Sequence, residues 1–119
     1  MNTAEPQSPH VINVDDASFQ KEVFDRSRET LVLVDFWAAW CQPCKMLGPA
    51  LEQLANDSMG RLILAKANTD DAPKAAGEFA VQSIPAVYAV LDGEPIDYFV
   101  GLMTPEQLRE WANPLIAGL

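Results

Sequence analysis

The stretch TLVLVDFWAAWCQPCKM, residues 30–46, determines which fold we expect for this chain. Its first half is a nearly continuous apolar run rich in valine, which is typical of a β-strand covered on both faces. Its second half predicts a helix that runs from about residue 43 to about residue 56. Cys41 then falls at or near the N-cap and Pro43 in the first turn, where a missing N–H is tolerated. The stretch therefore predicts a buried strand that leads directly into a helix, with a C-x-x-C pair at the junction.

The remainder of the chain alternates between strand and helix patterns. Further strands are predicted in HVINV, RLILAKANT, PAVYAVL and PIDYFV, and a hairpin signal at residues 92–94 makes the last two antiparallel. Further helices are predicted in DDASFQKEVFDRS with Asp16 or Ser18 as cap, in APKAAGEFA, and in TPEQLREWANPLIAG with Thr104 as cap. The order β-α-β-α-β-α-β-β-α predicts an α/β fold in which helices flank a central mixed five-stranded sheet. The helix of the opening stretch is expected to direct an apolar stripe inward, formed by Met46, Ala50, Leu51, Leu54 and Ala55.

Length and charge limit the classes of protein to consider. At 119 residues the chain is expected to form one domain at residues 10–119, preceded by a polar, disordered tail at residues 1–9. A net charge of −9 disfavours nucleic acid as a partner, because the phosphate backbone would be repelled. No apolar run approaches the ~20 residues of a membrane helix, and the N-terminal residues lack the pattern of a signal peptide. We therefore expect no membrane partner and a cytoplasmic location, where thiols stay reduced.

The two cysteines, Cys41 and Cys44, allow several interpretations. A structural staple is disfavoured, because so short a loop removes little entropy from the unfolded chain and stapled folds are richer in cysteine. A zinc site within one chain lacks ligands, because His10 is the only histidine. A metal clip shared by two chains and a pair of inert buried thiols remain as alternatives. A redox pair is the favoured interpretation, and neither a metal nor a cofactor is expected.

The positions of the two cysteines predict unequal roles. The helix dipole and the free amides of the first turn favour a negative sulfur at Cys41, so its thiolate is expected to be the nucleophile. Cys44 lies one turn further into the helix and is expected to be more shielded. It would attack the mixed disulfide formed on Cys41 and thereby release the reduced substrate.

Two charged residues, Asp35 and Lys66, interrupt apolar strand segments. Asp35 lies within LVLVDFW and is expected to be buried with a raised pKa, which would let it accept the proton of Cys44. A solvent-facing aspartate at a strand end is the alternative interpretation. Lys66 lies near the end of LILAKA and is interpreted either as a partner of Asp35 or as a lysine whose ammonium reaches water.

Taken together, these residues resemble the thioredoxin family over about residues 11–116. The resemblance rests on an ordered set of motifs: VDFWAAWCQPCKM, LAKANTD, SIPAV, DGEP and FVGL. It implies a thioredoxin fold with Cys41 as nucleophile, Cys44 as resolving cysteine, Asp35 as buried acid and Lys66 as a nearby modulator. It also implies that the chain reduces disulfides in protein substrates, serves cell redox homeostasis, and receives electrons from a donor similar to thioredoxin reductase.

The resemblance further implies a substrate groove beside the cysteine pair. Pro85 would be a cis-proline, and the groove would be formed by Trp40, Ile84, Pro85, Ala86 and Gly101. The chain departs from the family pattern at two positions. The glycine usual before Pro43 is Gln42, and the threonine usual after the cis-proline is Ala86. We expect Gln42 and Pro43 to tune the redox potential, and Ala86 to alter the groove slightly.

A narrower resemblance suggests an alternative function. The segments FDRSRETLVLVDFWAAWC, SIPAVYAVLDGEPIDYFVG and QLREW are similar to the thioredoxin domain of chaperedoxins, which are co-chaperones that append helical repeats. This implies a client-binding domain with secondary redox activity, whose partners are unfolded clients or chaperones. The sequence stops at Leu119 without such repeats, which leaves open whether it is a whole protein or one domain. A catalytic disulfide-reduction assay separates the two functions.

Overall fold

The computed structural model describes residues 8–119. Its strands are β1 Val11–Val14, β2 Leu31–Trp37, β3 Leu62–Asn68, β4 Ala86–Leu91 and β5 Glu94–Val100. Its α-helices are α1 Gln42–Asp57, α2 Pro73–Glu78 and α3 Pro105–Ala117. A further helical segment between β1 and β2 combines a π-helical turn, Gln20–Asp25, with a 3-10 turn, Arg26–Arg28. Strands and helices follow one another in the predicted order.

The predicted tail at residues 1–9 lies almost entirely outside the described residues. Ser8 is the first described residue, and its carbonyl oxygen accepts a hydrogen bond from the N–H of Val11 at 3.2 Å. The division into a tail and a domain at residues 10–119 therefore stays a prediction. Within residues 8–119, none of the helices combines the length and the apolar character needed to cross a membrane.

The strands form one mixed sheet in the order β1-β3-β2-β4-β5. Strands β1, β3 and β2 are parallel, whereas β4 runs antiparallel to both β2 and β5. At the β4–β5 turn, Asp92 and Gly93 have φ values of 54° and 80°, as the tight hairpin predicted there requires. Strand β2 lies inside the sheet and both of its faces are covered, which accounts for its continuous apolar sequence. The prediction of a mixed sheet built around a covered strand is confirmed.

Side chains of β2 alternate between two apolar layers, because successive residues of a strand point to opposite faces of the sheet. Leu31 and Leu33 belong to the layer that contains buried residues of α1 and α3. Val32 and Phe36 belong to the layer that contains buried residues of the helical segment and α2. Asp35 continues the first series, so the sheet directs it towards α1.

The inward face of α1 differs from the predicted stripe at one residue. Met46 is 59% exposed, whereas Leu47 and Gly48 are buried. The buried face follows Cys44, and residues three and four positions later share its side of the helix. Met46 lies only two positions after Cys44, which turns it by about 200° to the opposite side. The assignment of Met46 to the core was therefore wrong.

The expectation that Asp16 or Ser18 caps the first helical segment was also wrong, because neither side chain caps the π-helical turn. The carboxylate oxygens of Asp16 accept hydrogen bonds from the backbone N–H groups of Lys74 and Ala75, at 3.0 and 2.9 Å. Asp16 therefore caps the start of α2, a helix far away in sequence, and the π-helical turn has no side-chain cap. Thr104, by contrast, caps α3 as predicted and forms a capping box with Gln107. The capping pattern considers only residues that are close together in sequence. It therefore could not predict that the fold places the start of α2 beside the end of β1.

Candidate functional site

The two cysteines lie at the junction of β2 and α1, and they form a disulfide. A turn closed by the Cys41 N–H and the carbonyl oxygen of Ala38, at 3.1 Å, connects the strand to the helix. Cys41 is the N-cap of α1, and its Sγ accepts a hydrogen bond from the backbone N–H of Cys44 at 3.3 Å. The predicted N-cap position of Cys41 is confirmed. The local electrostatic field is thus arranged to favour negative charge on this sulfur.

The two sulfurs differ in their contacts more than in their exposure. Cys41 is 5% exposed and Cys44 is 3% exposed, so the disulfide form shows little of the predicted difference in shielding. The Sγ of Cys41, however, lies 3.9 Å from the carbonyl oxygen of Ile84, in the loop that precedes β4. Cys41 is therefore the cysteine that borders the predicted groove.

An apolar wall surrounds the disulfide. Ala38 is fully buried against the cysteines, and Trp37 and Ile84 pack on the same cluster. The Ile84–Pro85 peptide bond is cis, which confirms the prediction made for it. The carbonyl oxygen of Pro85 accepts a hydrogen bond from the N–H of Gly101 at 2.8 Å, so these two groove residues are neighbours.

Three of the predicted groove residues line two adjoining recesses beside this wall, whereas Pro85 and Gly101 line neither of them. Trp40 is 72% exposed and shares a recess of about 470 Å³ with Ile84. Ala86 lines a second recess of about 220 Å³ together with residues of β5. Three polar side chains that line these recesses were not predicted as site residues: Thr69, Gln82 and Ser83. Thr69 lies within the LAKANTD motif and Ser83 within SIPAV, and Gln82 directly precedes SIPAV, so the motifs mark the segments that carry all three.

Gly101 has a φ of 100°, which is a conformation that favours glycine. Within the described residues, no other group lies within 4 Å of a Cβ placed on Gly101. The space beside this backbone is therefore open. The positive φ explains why residue 101 is a glycine. The open space beside it is consistent with the predicted approach of another backbone.

Asp35 is buried directly in the sheet beneath α1. It is 1% exposed, and within residues 8–119 neither of its carboxylate oxygens accepts a hydrogen bond. Burial raises the pKa of Asp35 to about 7, while the nearby charge of Lys66 lowers it and that of Glu52 raises it. The prediction that this carboxyl is buried is confirmed, and a solvent-facing aspartate is excluded.

Lys66 is the register neighbour of Asp35 on β3, but its ionic partner is Glu52 of α1. Its Nζ lies 2.8 Å from Oε2 of Glu52 and 5.3 Å from the centroid of the Trp37 ring. Direct pairing of Lys66 with Asp35 was therefore wrong. Glu52 was not predicted as this partner; it follows Cys44 by eight residues, which places it about 80° around α1 from Cys44, at the margin of the buried face.

The remaining predicted site residues, Gln42 and Pro43, are exposed in the first turn of α1. No group of three or more potential metal ligands is found among the described residues. The site thus combines an N-cap sulfur, a second sulfur one turn further along, and a carboxyl that titrates near neutral pH. This set of groups is suited to thiol–disulfide exchange, in which a thiolate attacks a disulfide and a proton must be removed.

Comparison with known proteins gives a consistent result. The sequence model of one family, thioredoxin, matches residues 10–114. A thioredoxin of Chlorobaculum thiosulfatiphilum is 47% identical over 95 residues, which cover 80% of this chain and 86% of that protein. Thioredoxin 2 of Chlorobaculum tepidum is 44% identical over 95 residues, which cover 80% of this chain and 85% of that protein. A thioredoxin of Staphylococcus haemolyticus is 41% identical over 100 residues, which cover 84% of this chain and 92% of that protein.

Proposed function

The chain belongs to the thioredoxin family and is a dithiol–disulfide oxidoreductase, and from its site we infer which residue performs each step. Cys41 attacks a substrate disulfide, forms a mixed disulfide with one substrate sulfur, and releases the other as a thiolate. Cys44 then attacks the Sγ of Cys41, which breaks the mixed disulfide, releases the second substrate sulfur and forms the Cys41–Cys44 disulfide. Two electrons pass from the cysteine pair to the substrate, and a reductase returns them.

The observation that carries this assignment is the N-cap position of Cys41. Of the two sulfurs, Cys41 Sγ is the one that accepts a hydrogen bond from a backbone N–H in the described part of the chain, that of Cys44 at 3.3 Å. The same sulfur lies beside the Ile84 carbonyl oxygen at the edge of the groove. A thiolate is therefore stabilised where a substrate disulfide can reach it.

Asp35 is proposed as the acceptor of the Cys44 proton. Its carboxyl lies on β2, on the sheet face that α1 covers, and its pKa of about 7 allows it to gain and lose a proton near neutral pH. Lys66 is proposed as a modulator, because its positive charge favours the ionised form of Asp35.

The groove is proposed to receive an extended substrate segment next to the disulfide. It is formed by Trp40, Ile84, Pro85, Ala86 and Gly101. The exposed indole of Trp40, the recess it shares with Ile84 and the open space at Gly101 support this proposal. Apolar contacts of this kind would hold chains of different sequence, since they do not depend on specific polar groups.

Membership of the family implies disulfide-bearing protein substrates and a reductase as electron donor. We propose that the reductase is similar to thioredoxin reductase and that the pair contributes to electron transport in cell redox homeostasis. A cytoplasmic location is part of this proposal, because a reducing compartment keeps the pair available as a dithiol.

Alkylation of the reduced protein tests the two cysteine roles. Near neutral pH, a limiting amount of iodoacetamide is expected to label Cys41 at least about fivefold faster than Cys44, because the thiolate reacts and the helix start stabilises it there. Peptide mapping by mass spectrometry measures the ratio. The Cys44→Ser variant is the control, and its Cys41 should still be labelled rapidly. Faster labelling of Cys44 would reverse the assigned roles.

Gln42 provides a test of redox tuning. We expect Gln42→Gly to make the disulfide more reducing by roughly 10 to 30 mV, because a polar side chain beside Cys41 adds about one hydrogen bond to the thiolate form. Equilibration of both proteins with glutathione buffers measures the change. Equal reduction potentials in the two proteins would show that Gln42 does not tune the cysteine pair.

A further inference from the structure

The ammonium group of Lys66 is held against α1. Its Nζ lies 2.8 Å from Oε2 of Glu52, and a Cβ placed on Gly48 would lie 3.7 Å from the same nitrogen. The ring of Trp37 lies on another side of the ammonium, with its centroid 5.3 Å away. Since the side chain of Lys66 is mostly buried, these neighbours define one position for its charge.

Asp35 faces the same layer as Lys66 but does not share this ion pair. The two residues are direct register partners on β2 and β3, so their side chains leave the sheet on the same face. Within the described residues, however, both carboxylate oxygens of Asp35 lack hydrogen bonds. Lys66 therefore has two carboxyl residues as neighbours, Asp35 on β2 and Glu52 on α1. Its ammonium forms an ion pair with Glu52.

Solvent access explains this choice of partner. The side chain of Glu52 is 36% exposed, whereas Asp35 is 1% exposed. Ionising the buried carboxyl requires more desolvation energy than ionising the one that still contacts water. Glu52 is therefore the better ionic partner for Lys66.

We propose that Glu52 is a positioning residue for the reaction: it holds the Lys66 ammonium on α1, so that the Asp35 carboxyl keeps no direct ionic partner and remains an effective base for Cys44. The proposal rests on the assignment of Asp35 as proton acceptor. A carboxyl bonded directly to an ammonium would ionise at lower pH and would be a weaker base for a thiol. Glu52 would prevent that bond.

Within residues 8–119, the other elements packed around Asp35 present no further charge to it. Strand β4 places Val87 opposite Asp35, and α3 directs Leu108 and Ala112 into the same layer. The charged residues of α3 are exposed: Glu106, Arg109 and Glu110. The groups whose charge acts on Asp35 are Lys66 and Glu52, and the titratable thiols nearby are those of the cysteine pair in its reduced form.

The test is a titration of Asp35 itself in the oxidised protein, followed through its carboxyl carbon by NMR. In Glu52→Gln the amide keeps the size of the side chain but releases Lys66 to pair with Asp35. The titration midpoint is expected to fall by about half a pH unit or more. Asp57→Asn removes the same charge from an exposed position later in α1 and is expected to leave the midpoint within about 0.2 units of the original.

Two further variants show whether Glu52 acts through Lys66. In a Lys66→Met background, Glu52→Gln is expected to shift the midpoint by less than half as much as it does in the native background. Glu52→Asp, which retains the charge, should restore a midpoint closer to the native one. An unchanged or raised midpoint in Glu52→Gln, or an equal fall in Asp57→Asn, would overturn the proposal.

The pH profile of mixed-disulfide resolution separates this inference from the proposed function. It is expected to move to lower pH in Glu52→Gln together with the Asp35 titration. A moved titration with an unmoved profile would support the positioning of Lys66 by Glu52 but contradict the role of Asp35 as base. An unmoved titration contradicts the positioning whatever the profile does.

Discussion

Replacement of Cys41 by serine is expected to lower catalytic disulfide reduction by at least about a thousandfold. The thiolate is the nucleophile in thiol–disulfide exchange, and a serine hydroxyl is not ionised near neutral pH. The N-cap geometry should survive, because serine is a favoured N-cap residue of similar size. The loss would therefore be chemical and not structural. Reduction of a protein disulfide in the presence of a regenerating reductant measures it.

The Cys44→Ser variant is expected to fail in a different way. It retains the attacking sulfur, so it should form a mixed disulfide with substrate once and then stop, because nothing resolves the bond. Mass spectrometry should find the trapped substrate on Cys41. Ala39→Ser introduces a hydroxyl at an exposed position near the site and serves as the matched control, which should keep activity within about twofold.

These variants also separate the enzyme from a client-binding module. Cys41→Ser should lose reduction but keep any non-covalent binding of unfolded chains in the groove. Turnover that survives in Cys41→Ser would contradict the assigned nucleophile. Native protein that binds unfolded chains but reduces no disulfide catalytically would favour the alternative in which the cysteines are secondary.

Asp35→Asn is expected to stabilise the oxidised protein at pH values above about 7 by roughly 1 to 3 kcal/mol. The folded pKa of Asp35 is about 7, whereas an unfolded aspartate has a pKa of about 3.9. Below the unfolded pKa both states hold the proton, and the contribution of Asp35 to stability is complete. Between the two values the unfolded chain has lost its proton while the folded protein retains it, so this stability declines as pH rises. Asparagine does not titrate and avoids the decline.

Urea unfolding at about pH 4 and about pH 8 measures this difference. The gain in the free energy of unfolding should be small at the lower pH and reach its full size at the higher one. Asp57→Asn, which alters an exposed carboxylate, should show no comparable pH-dependent gain. A variant that is less stable than the native protein at both pH values would mean that Asp35 has a structural role.

The same substitution is expected to slow resolution of the mixed disulfide by about tenfold or more, because it removes the proposed acceptor of the Cys44 proton. The initial attack by Cys41 should change less. Stopped-flow measurement of single-turnover reduction separates the two steps. Resolution at the native rate in Asp35→Asn would show that Cys44 loses its proton by another route.

Local patterns in the sequence were sufficient to predict the elements that carry the site. A continuous apolar run marks β2 because that strand is covered on both faces, and a cysteine followed by Pro43 marks the start of α1 because helix starts tolerate proline. A carboxyl within the apolar run identified Asp35 as a buried acid, since burial follows from the neighbours in the same strand. Each of these inferences depends on residues that are close together in sequence.

Contacts between segments that are far apart in the sequence depend on how the folded chain packs. Asp16 caps α2 across 58 residues, and Lys66 binds Glu52 across 14 residues. No local pattern specifies which charged groups will form an ion pair. The pairing depends on how the elements pack and on which carboxyl remains exposed to solvent. Met46 shows the same limit, since the burial of Cys44 against the sheet sets which side of α1 faces inward. The strands, the helices and the reacting sulfurs could therefore be predicted from neighbouring residues, whereas the packing of α1 on the sheet sets the charges that surround Asp35.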